Sequence, residues 1–188
     1  SSIRVFKISF HNIILFSLVA GFIGARLYHV ISDYEYYLQQ PSQIFAVWNG
    51  GLGIFGAAIG AVLAVWVYKK YVLKSKLSFL QLLDWLTPGI VIGQIIGRFG
   101  NFINYELYGY PTTLPWKMYV PELFRAPAYE FSQFFHPLFL YEAAGSAVIL
   151  VLILKLKLRA GRLFLLWLLL YNVMRFFLEF LRVDSVVY

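Results

Sequence analysis

The chain has 188 residues, of which 61% are hydrophobic and only 13% charged, with a net charge of +7 and no cysteine. A soluble domain carries about 25% charged and about 45–50% apolar residues, so a soluble enzyme, a nucleic-acid-binding module and a disordered tail are all poor readings. What remains is a multi-span helical membrane protein.

Five apolar stretches are long enough to cross a bilayer, which takes about 20 residues each. They cover roughly residues 11–31, 50–67, 79–98, 137–154 and 163–181. The expected fold is all-α: a polytopic membrane helical bundle of about five transmembrane helices, forming a single membrane domain over 1–188 with a small external head segment at 101–136. Arg4 and Lys7 before the first run also fit a signal peptide. However, the run continues through Gly24-Ala25-Arg26-Leu27-Tyr28 without an A-x-A cleavage site.

The connections differ in charge. Arg4 and Lys7, then Lys69, Lys70, Lys74 and Lys76, then Lys155, Lys157, Arg159 and Arg162 make up ten of the 16 basic residues, in segments free of acids. They alternate with segments carrying Asp33, Glu35, Glu106, Glu122 and Glu130. The positive-inside rule places the N-terminus and both basic loops in the cytoplasm and the C-terminus outside. The positive charge then orients the chain, and no nucleic-acid partner is expected. The head, with Pro111, Pro115, Pro121 and Pro127, is external. Tyr34, Tyr36, Tyr37, Trp48, Tyr108, Trp116 and Tyr119 are expected in an outer aromatic belt, and 41–47 in a short interfacial helix.

Four arginines fall within spans or at their ends: Arg26, Arg98, Arg175 and Arg182. With this topology all four lie toward the outer side. A charge near the bilayer centre costs about 2.5–3.5 kcal/mol on insertion scales, so it needs a reason. Tyr171, Arg175 and Glu179 are spaced four apart and share a helix face, with Arg182 three residues on. An Arg175–Glu179 pair that neutralises itself is the plain reading of that face. It leaves Arg26 and Arg98 unexplained, and several arginines at one depth suit an anionic phospholipid headgroup.

Gly56 with Gly60, and Gly93 with Gly97, form GxxxG pairs, which close helix packing explains. Gly50 and Gly51 would also let backbone approach a headgroup. The densest polar segment runs Gly97-Arg98-Phe99-Gly100-Asn101-Phe102-Ile103-Asn104-Tyr105-Glu106-Leu107-Tyr108-Gly109. Helix-end capping by Asn101 or Asn104 is the simple reading. Capping requires neither Arg98 nor Glu106, which favours a polar site.

That segment resembles the signature of the prolipoprotein diacylglyceryl transferase family. So do Gly24-Ala25-Arg26-Leu27-Tyr28, Trp48-Asn49-Gly50-Gly51-Leu52 with Gly56, His136-Pro137 with Leu140-Tyr141-Glu142, and the set Tyr171, Arg175, Glu179 and Arg182. The resemblance implies an all-helical enzyme of seven spans in the bacterial cytoplasmic (inner) membrane, its site facing the outer leaflet. This chain would lack the first and last spans. The implied reaction moves the diacylglyceryl group of phosphatidylglycerol to the lipobox cysteine of a prolipoprotein signal peptide, with membrane lipids as surroundings. Glycerol phosphate leaves.

On that resemblance Arg98 and Arg175 would clamp the phosphate. Asn101 and Tyr171 would hydrogen-bond it or the glycerol, and Glu106 and Glu179 would orient the arginines. Arg26, Gly50, Gly51, Asn104, Gly109, His136, Tyr141, Glu142 and Arg182 would line the substrates. Phe55 stands where many members carry a histidine, so His136, and after it His29, are the candidate thiol bases. No cofactor or metal is expected: the three histidines are scattered and no HExxH, P-loop or GxGxxG is present. The competing class is a phospholipid-binding transporter or a structural membrane subunit without catalysis.

Overall fold

A computed structural model describes the backbone of residues 2–73 and 77–183, and side chains from residue 11 onward within those ranges. Lys74 and Lys76 of the first basic segment lie outside the described residues. The chain divides into two compact units, residues 1–82 and 83–188. It is mostly helical and contains helices suited to a multi-pass membrane protein. Among the described residues, four are long and apolar enough to cross a bilayer: His11–Ser32, Ile54–Leu73, Phe79–Ile103 and Leu138–Lys155.

In the first unit, α1 (Ser2–Ser32) is followed by the short α2 (Tyr34–Gln39) and two 3₁₀ turns, Pro41–Phe45 and Val47–Asn49. The latter take the place of the expected interfacial helix. Helix α3 (Ile54–Val67) starts four residues later than the apolar run predicts. Gly50 and Gly51 have φ of +86° and +76°, outside helical space, so the chain there forms a loop. At its other end α3 passes into a π-helical turn, Tyr68–Leu73, so Lys69 and Lys70 sit on helix. Lys70 Nζ lies 4.9 Å from the centre of the Trp66 ring.

The α1–α3 contact is made by glycines. A Cβ on Gly24 would strike the Gly56 carbonyl, one on Gly56 the Gly24 carbonyl, and one on Gly60 the Ala20 carbonyl. Here the GxxxG expectation holds: only hydrogen at Cα lets the two backbones approach so closely.

Helix α4 (Phe79–Ile103) opens on a reciprocal cap. Gln81 N–H donates to Ser78 Oγ at 3.2 Å, and Ser78 N–H to Gln81 Oε1 at 2.6 Å. Its glycines behave differently from those of α3. A Cβ on Gly93 or Gly97 would meet nothing within 4 Å among the described residues, so no close contact there requires either glycine.

The second unit continues through the head to α5 (Leu138–Lys155) and α6 (Leu163–Glu179). α6 is 17 residues long, shorter than the predicted span, and ends in a turn that reaches Arg182. The head begins later than expected, because α4 extends to Ile103. It also contains structure that an all-helical reading omits, an antiparallel ribbon of β1 (Met118–Tyr119) and β2 (Phe134–Phe135). Leu107, Tyr108, Met118, Val120 and Phe135 form its core with Leu138 and Phe139. Two of the expected belt tyrosines are therefore not at a surface: Tyr108 is buried in this core and Tyr37 is buried in the first unit.

Candidate active site

The end of α4 places the first group of polar side chains. Tyr105 adopts φ of +57°. Its N–H donates to the Phe102 carbonyl at 3.2 Å, and Glu106 N–H reaches back to the Asn101 carbonyl at 2.8 Å. This paired pattern is a Schellman closure, with tyrosine in the position glycine usually takes. The backbone therefore caps itself, and the amide side chain of Asn101 is left for other work. Asn101 Nδ2 donates to Glu106 Oε2 at 3.1 Å, while its Oδ1 accepts from Arg98 Nη1 at 3.2 Å. Asn104 is exposed at the helix end.

Helix α5 supplies the centre. Its buried face runs Leu138, Phe139, Glu142, Ala143, Ser146, Ile149 and Ile153, a helical stripe with a carboxylate in it. Glu142 is fully buried, at 0% exposure. Arg98 Nη2 lies 2.7 Å from Glu142 Oε1. Tyr171 of α6 donates its hydroxyl to the same oxygen at 2.7 Å and accepts from Arg98 Nη2 at 3.1 Å. Arg175, one turn further along α6, brings Nη1 to 3.5 Å from Glu142 Oε2. A buried carboxylate is tolerated only when paired in this way.

The pairing continues outward. Arg175 Nη2 meets Glu179 Oε2 at 2.8 Å, and Arg182 Nη1 lies 3.7 Å from Glu179 Oε1. Arg98, Glu142, Arg175, Glu179 and Arg182 thus form one chain of alternating charge across α4, α5 and α6. Arg98 and Arg175 keep about a quarter of their side-chain surface exposed, 24% and 25%. Arg182 is fixed through its backbone, which bridges to the buried Gly109 of the head. Beside this set, Trp116 Nε1 donates to Tyr141 Oη at 2.8 Å, and Tyr141 Oη lies 3.0 Å from His136 Nδ1.

Residues 3–188 match the family model for prolipoprotein diacylglyceryl transferase. The chain belongs to that family. It is 44% identical over 178 residues to the phosphatidylglycerol–prolipoprotein diacylglyceryl transferase of Fervidobacterium nodosum, covering 93% of this chain and 60% of the relative. The protein of the same name from Thermotoga maritima is 41% identical over 182 residues, 95% of this chain and 61% of the relative. That of Synechocystis is 38% identical over 187 residues, 95% of this chain and 65% of the relative. The chain therefore spans between 60% and 65% of the length of these transferases.

Within this family member the second unit brings together Arg98, Asn101, Glu106, Tyr171, Arg175, Glu179, Glu142 and Arg182, as contacts of one connected network. Two roles differ from those expected. Glu106 holds the amide of Asn101 rather than an arginine. The carboxylate that orients Arg98 is Glu142, which the sequence reading places among the residues lining the substrates. Its position on the buried stripe of α5 was the available signal.

Arg26 of the first unit is also reassigned. It is 8% exposed, and its guanidinium is already occupied. Nε donates to the Ile44 carbonyl at 2.9 Å, Nη1 to those of Gly50 and Gly51 at 2.7 and 2.9 Å, and Nη2 to that of Gln43. Tyr37 covers its face, 5.3 Å from ring centre to Cζ. Four of five donors bind backbone, so Arg26 ties the glycine loop to α1 and does not present a fork to phosphate. Gly50 and Gly51 serve the same loop. Their carbonyls are Arg26's acceptors, and a Cβ on Gly51 would collide with His29 and come within 2.6 Å of Arg26 Nη1.

Proposed function

We propose that this chain is the catalytic core of a phosphatidylglycerol–prolipoprotein diacylglyceryl transferase of the bacterial cytoplasmic membrane, with its site toward the outer leaflet. The observation that carries this reading is the buried Glu142 carboxylate holding two part-exposed guanidiniums, Arg98 and Arg175, on different helices. Two guanidinium forks on different helices fit the two-sided coordination of a phosphate. The relatives' name supplies the substrate pair.

Orientation is supported by the ends of the helices. Glu142 lies near the start of α5, and Lys155 is its last residue, about 20 Å away at 1.5 Å per residue. The basic segment between α5 and α6 thus occupies the opposite end from the arginine network. With basic segments cytoplasmic, the network faces outward.

The reaction is a displacement at carbon. The lipobox thiolate attacks the diacylglyceryl carbon attached to phosphate oxygen. A C–S bond forms, the C–O bond breaks, and the electron pair leaves with glycerol phosphate. A thiol of pKa about 8.5 is only a few per cent ionised at neutral pH. Nearby guanidiniums favour the thiolate and the charge growing on the leaving phosphate. Arg98 and Arg175 bind the phosphate, and the second Nδ2 proton of Asn101 completes its hydrogen bonds, while Tyr171, whose proton goes to Glu142, holds Arg98 in place. Glu106 steadies Asn101, and Glu179 steadies Arg175 and Arg182. Asn104, Gly109, His136, Tyr141 and Arg182 border the substrates.

The test is incubation of the purified protein with labelled phosphatidylglycerol and a lipobox peptide. Thioether product is expected, and Arg98→Gln should abolish it while leaving membrane insertion intact. Lipid retention without product, beside an active positive control, would decide for a binding protein without chemistry. Wild-type transfer by a folded Arg98→Gln variant would remove the phosphate clamp.

A further inference from the structure

Trp116, Tyr141 and His136 form a hydrogen-bonded chain whose direction is fixed at the Trp116 end. An indole N–H can only donate. Trp116 Nε1, at 2.8 Å, therefore uses Tyr141 Oη as acceptor. The phenol has one proton of its own, and His136 Nδ1 is 3.0 Å away. Were that proton turned aside, the phenol would accept two N–H bonds and leave its donor unused on a half-buried ring. Donors aligned head to tail reinforce one another instead. With that alignment the chain would run from Trp116 to Tyr141 to His136, with Nδ1 as the acceptor.

A neutral imidazole that accepts at Nδ1 carries its proton on Nε2. Such a ring makes a poor thiol base, because the Nδ1 lone pair is taken and Nε2 has none to offer. It is a good donor. Nε2 has no hydrogen-bond partner among the described residues, and the ring is half-buried. Its backbone is fixed on both sides: His136 N–H donates to the Tyr110 carbonyl at 3.0 Å, and its carbonyl accepts from Gly109 at 2.8 Å. Gly109 in turn bridges to Arg182, and a Cβ on it would stand 3.1 Å from His136 Cβ. The backbone that carries the ring is therefore tied, through Gly109, to the backbone of Arg182.

We propose that Tyr141 and Trp116 hold His136 as a neutral Nε2–H donor, and that this N–H takes a carbonyl or phosphate oxygen of a substrate. Tyr141 and Trp116 are positioning residues acting through it. A neutral N–H donor selects an oxygen acceptor. The identity of the acceptor rests on the transferase reading above; the tautomer does not.

Two experiments decide. The first is nitrogen NMR of histidine-labelled protein in micelles above neutral pH, with His136 assigned through His136→Gln. The expected result is a protonated Nε2 and a hydrogen-bonded, unprotonated Nδ1, with Tyr141→Phe giving a mixture of tautomers. Protonated Nδ1 in the unaltered protein would overturn the proposal. This measurement stands whether or not the protein transfers lipid.

The second is the transfer assay. Glutamine keeps a neutral donor near the place of Nε2, and phenylalanine does not. His136→Gln should stay within about fivefold of wild type, while His136→Phe, at comparable Tm, should raise a KM by about tenfold for the lost hydrogen bond. A KM change for lipid assigns the acceptor to phosphatidylglycerol, and one for peptide assigns it to the prolipoprotein backbone. Unchanged KM for both substrates, or equal damage in the two variants, would overturn the donor role.

Discussion

Arg175 Nη1 and Glu142 Oε2 stand 3.5 Å apart without a hydrogen bond, although both atoms are buried. The other oxygen of the same carboxylate holds Arg98 and the Tyr171 hydroxyl, each at 2.7 Å. One counter-ion thus serves two guanidiniums unequally. Arg98 is tied to Glu142, Tyr171 and Asn101, whereas Arg175 is held firmly only by the more exposed Glu179. Of the two, Arg175 has more freedom to turn its fork toward an incoming anion.

Removing the shared carboxylate should be costly. Glu142→Ala leaves two guanidiniums facing each other with one remaining acid, and breaking a buried pair costs about 3–5 kcal/mol. Glu142→Gln keeps shape and one acceptor, so it should lose less stability while still losing transfer. Thermal unfolding in micelles and the transfer assay together check this. A Glu142→Gln protein with wild-type Tm and rate would show that the carboxylate charge orients nothing.

Tyr171→Phe deletes a single oxygen that donates to Glu142 and accepts from Arg98. Hydrogen bonds to charged groups are worth about 1.5–3 kcal/mol, so transfer should fall by roughly tenfold to a hundredfold. The ring should still stack on Trp167, whose centroid is 6.1 Å away, and membrane insertion should be unchanged. Equal rates for the two proteins would exclude the hydroxyl from the site.

The spans were legible because apolar length is a composition property, and the bilayer sets that length. Arg98 and Arg175 stood out because charge within a span needs a reason, and Tyr171 because it shares a helix face with Arg175. Helix starts and stops were less visible. Gly50 and Gly51 sit in an apolar run but have positive φ, and α4 runs on to Ile103 because Tyr105 closes it in a conformation usual for glycine. The partner of each arginine was hidden for a different reason. Pairing across helices depends on rotation and depth, which sequence spacing gives within one helix only. Glu179 was therefore readable as a partner of Arg175, and Glu142 as a partner of Arg98 was not. The head ribbon was missed because its strands are two residues each.

Arg26→Lys tests the reassignment of Arg26. An ammonium has three donors and no planar fork, and cannot reach four carbonyls spread over Gln43, Ile44, Gly50 and Gly51. The expected result is faster amide exchange over 43–53 and a lower Tm, with little change in the KM for lipid at permissive temperature. A large rise in lipid KM without loss of amide protection would return Arg26 to the substrate.

Asp84→Ala should separate stability from chemistry. The first N–H groups of α6 lack an intrahelical partner. Asp84 of α4 supplies one from outside the helix: Oδ1 accepts from Phe164 N–H at 2.8 Å and Oδ2 from Gly161 N–H. Its charge also lies at the positive end of the helix dipole. Loss of such a cap costs about 0.5–2 kcal/mol. Asp84→Asn keeps one acceptor and should lose roughly half as much. Asp84 is fourteen residues from Arg98, about 21 Å along α4, so KM and the rate at permissive temperature should be unaffected. Thermal unfolding beside transfer kinetics makes the comparison. A changed KM at full stability would mean that the α4–α6 tie at this end reaches the arginine network.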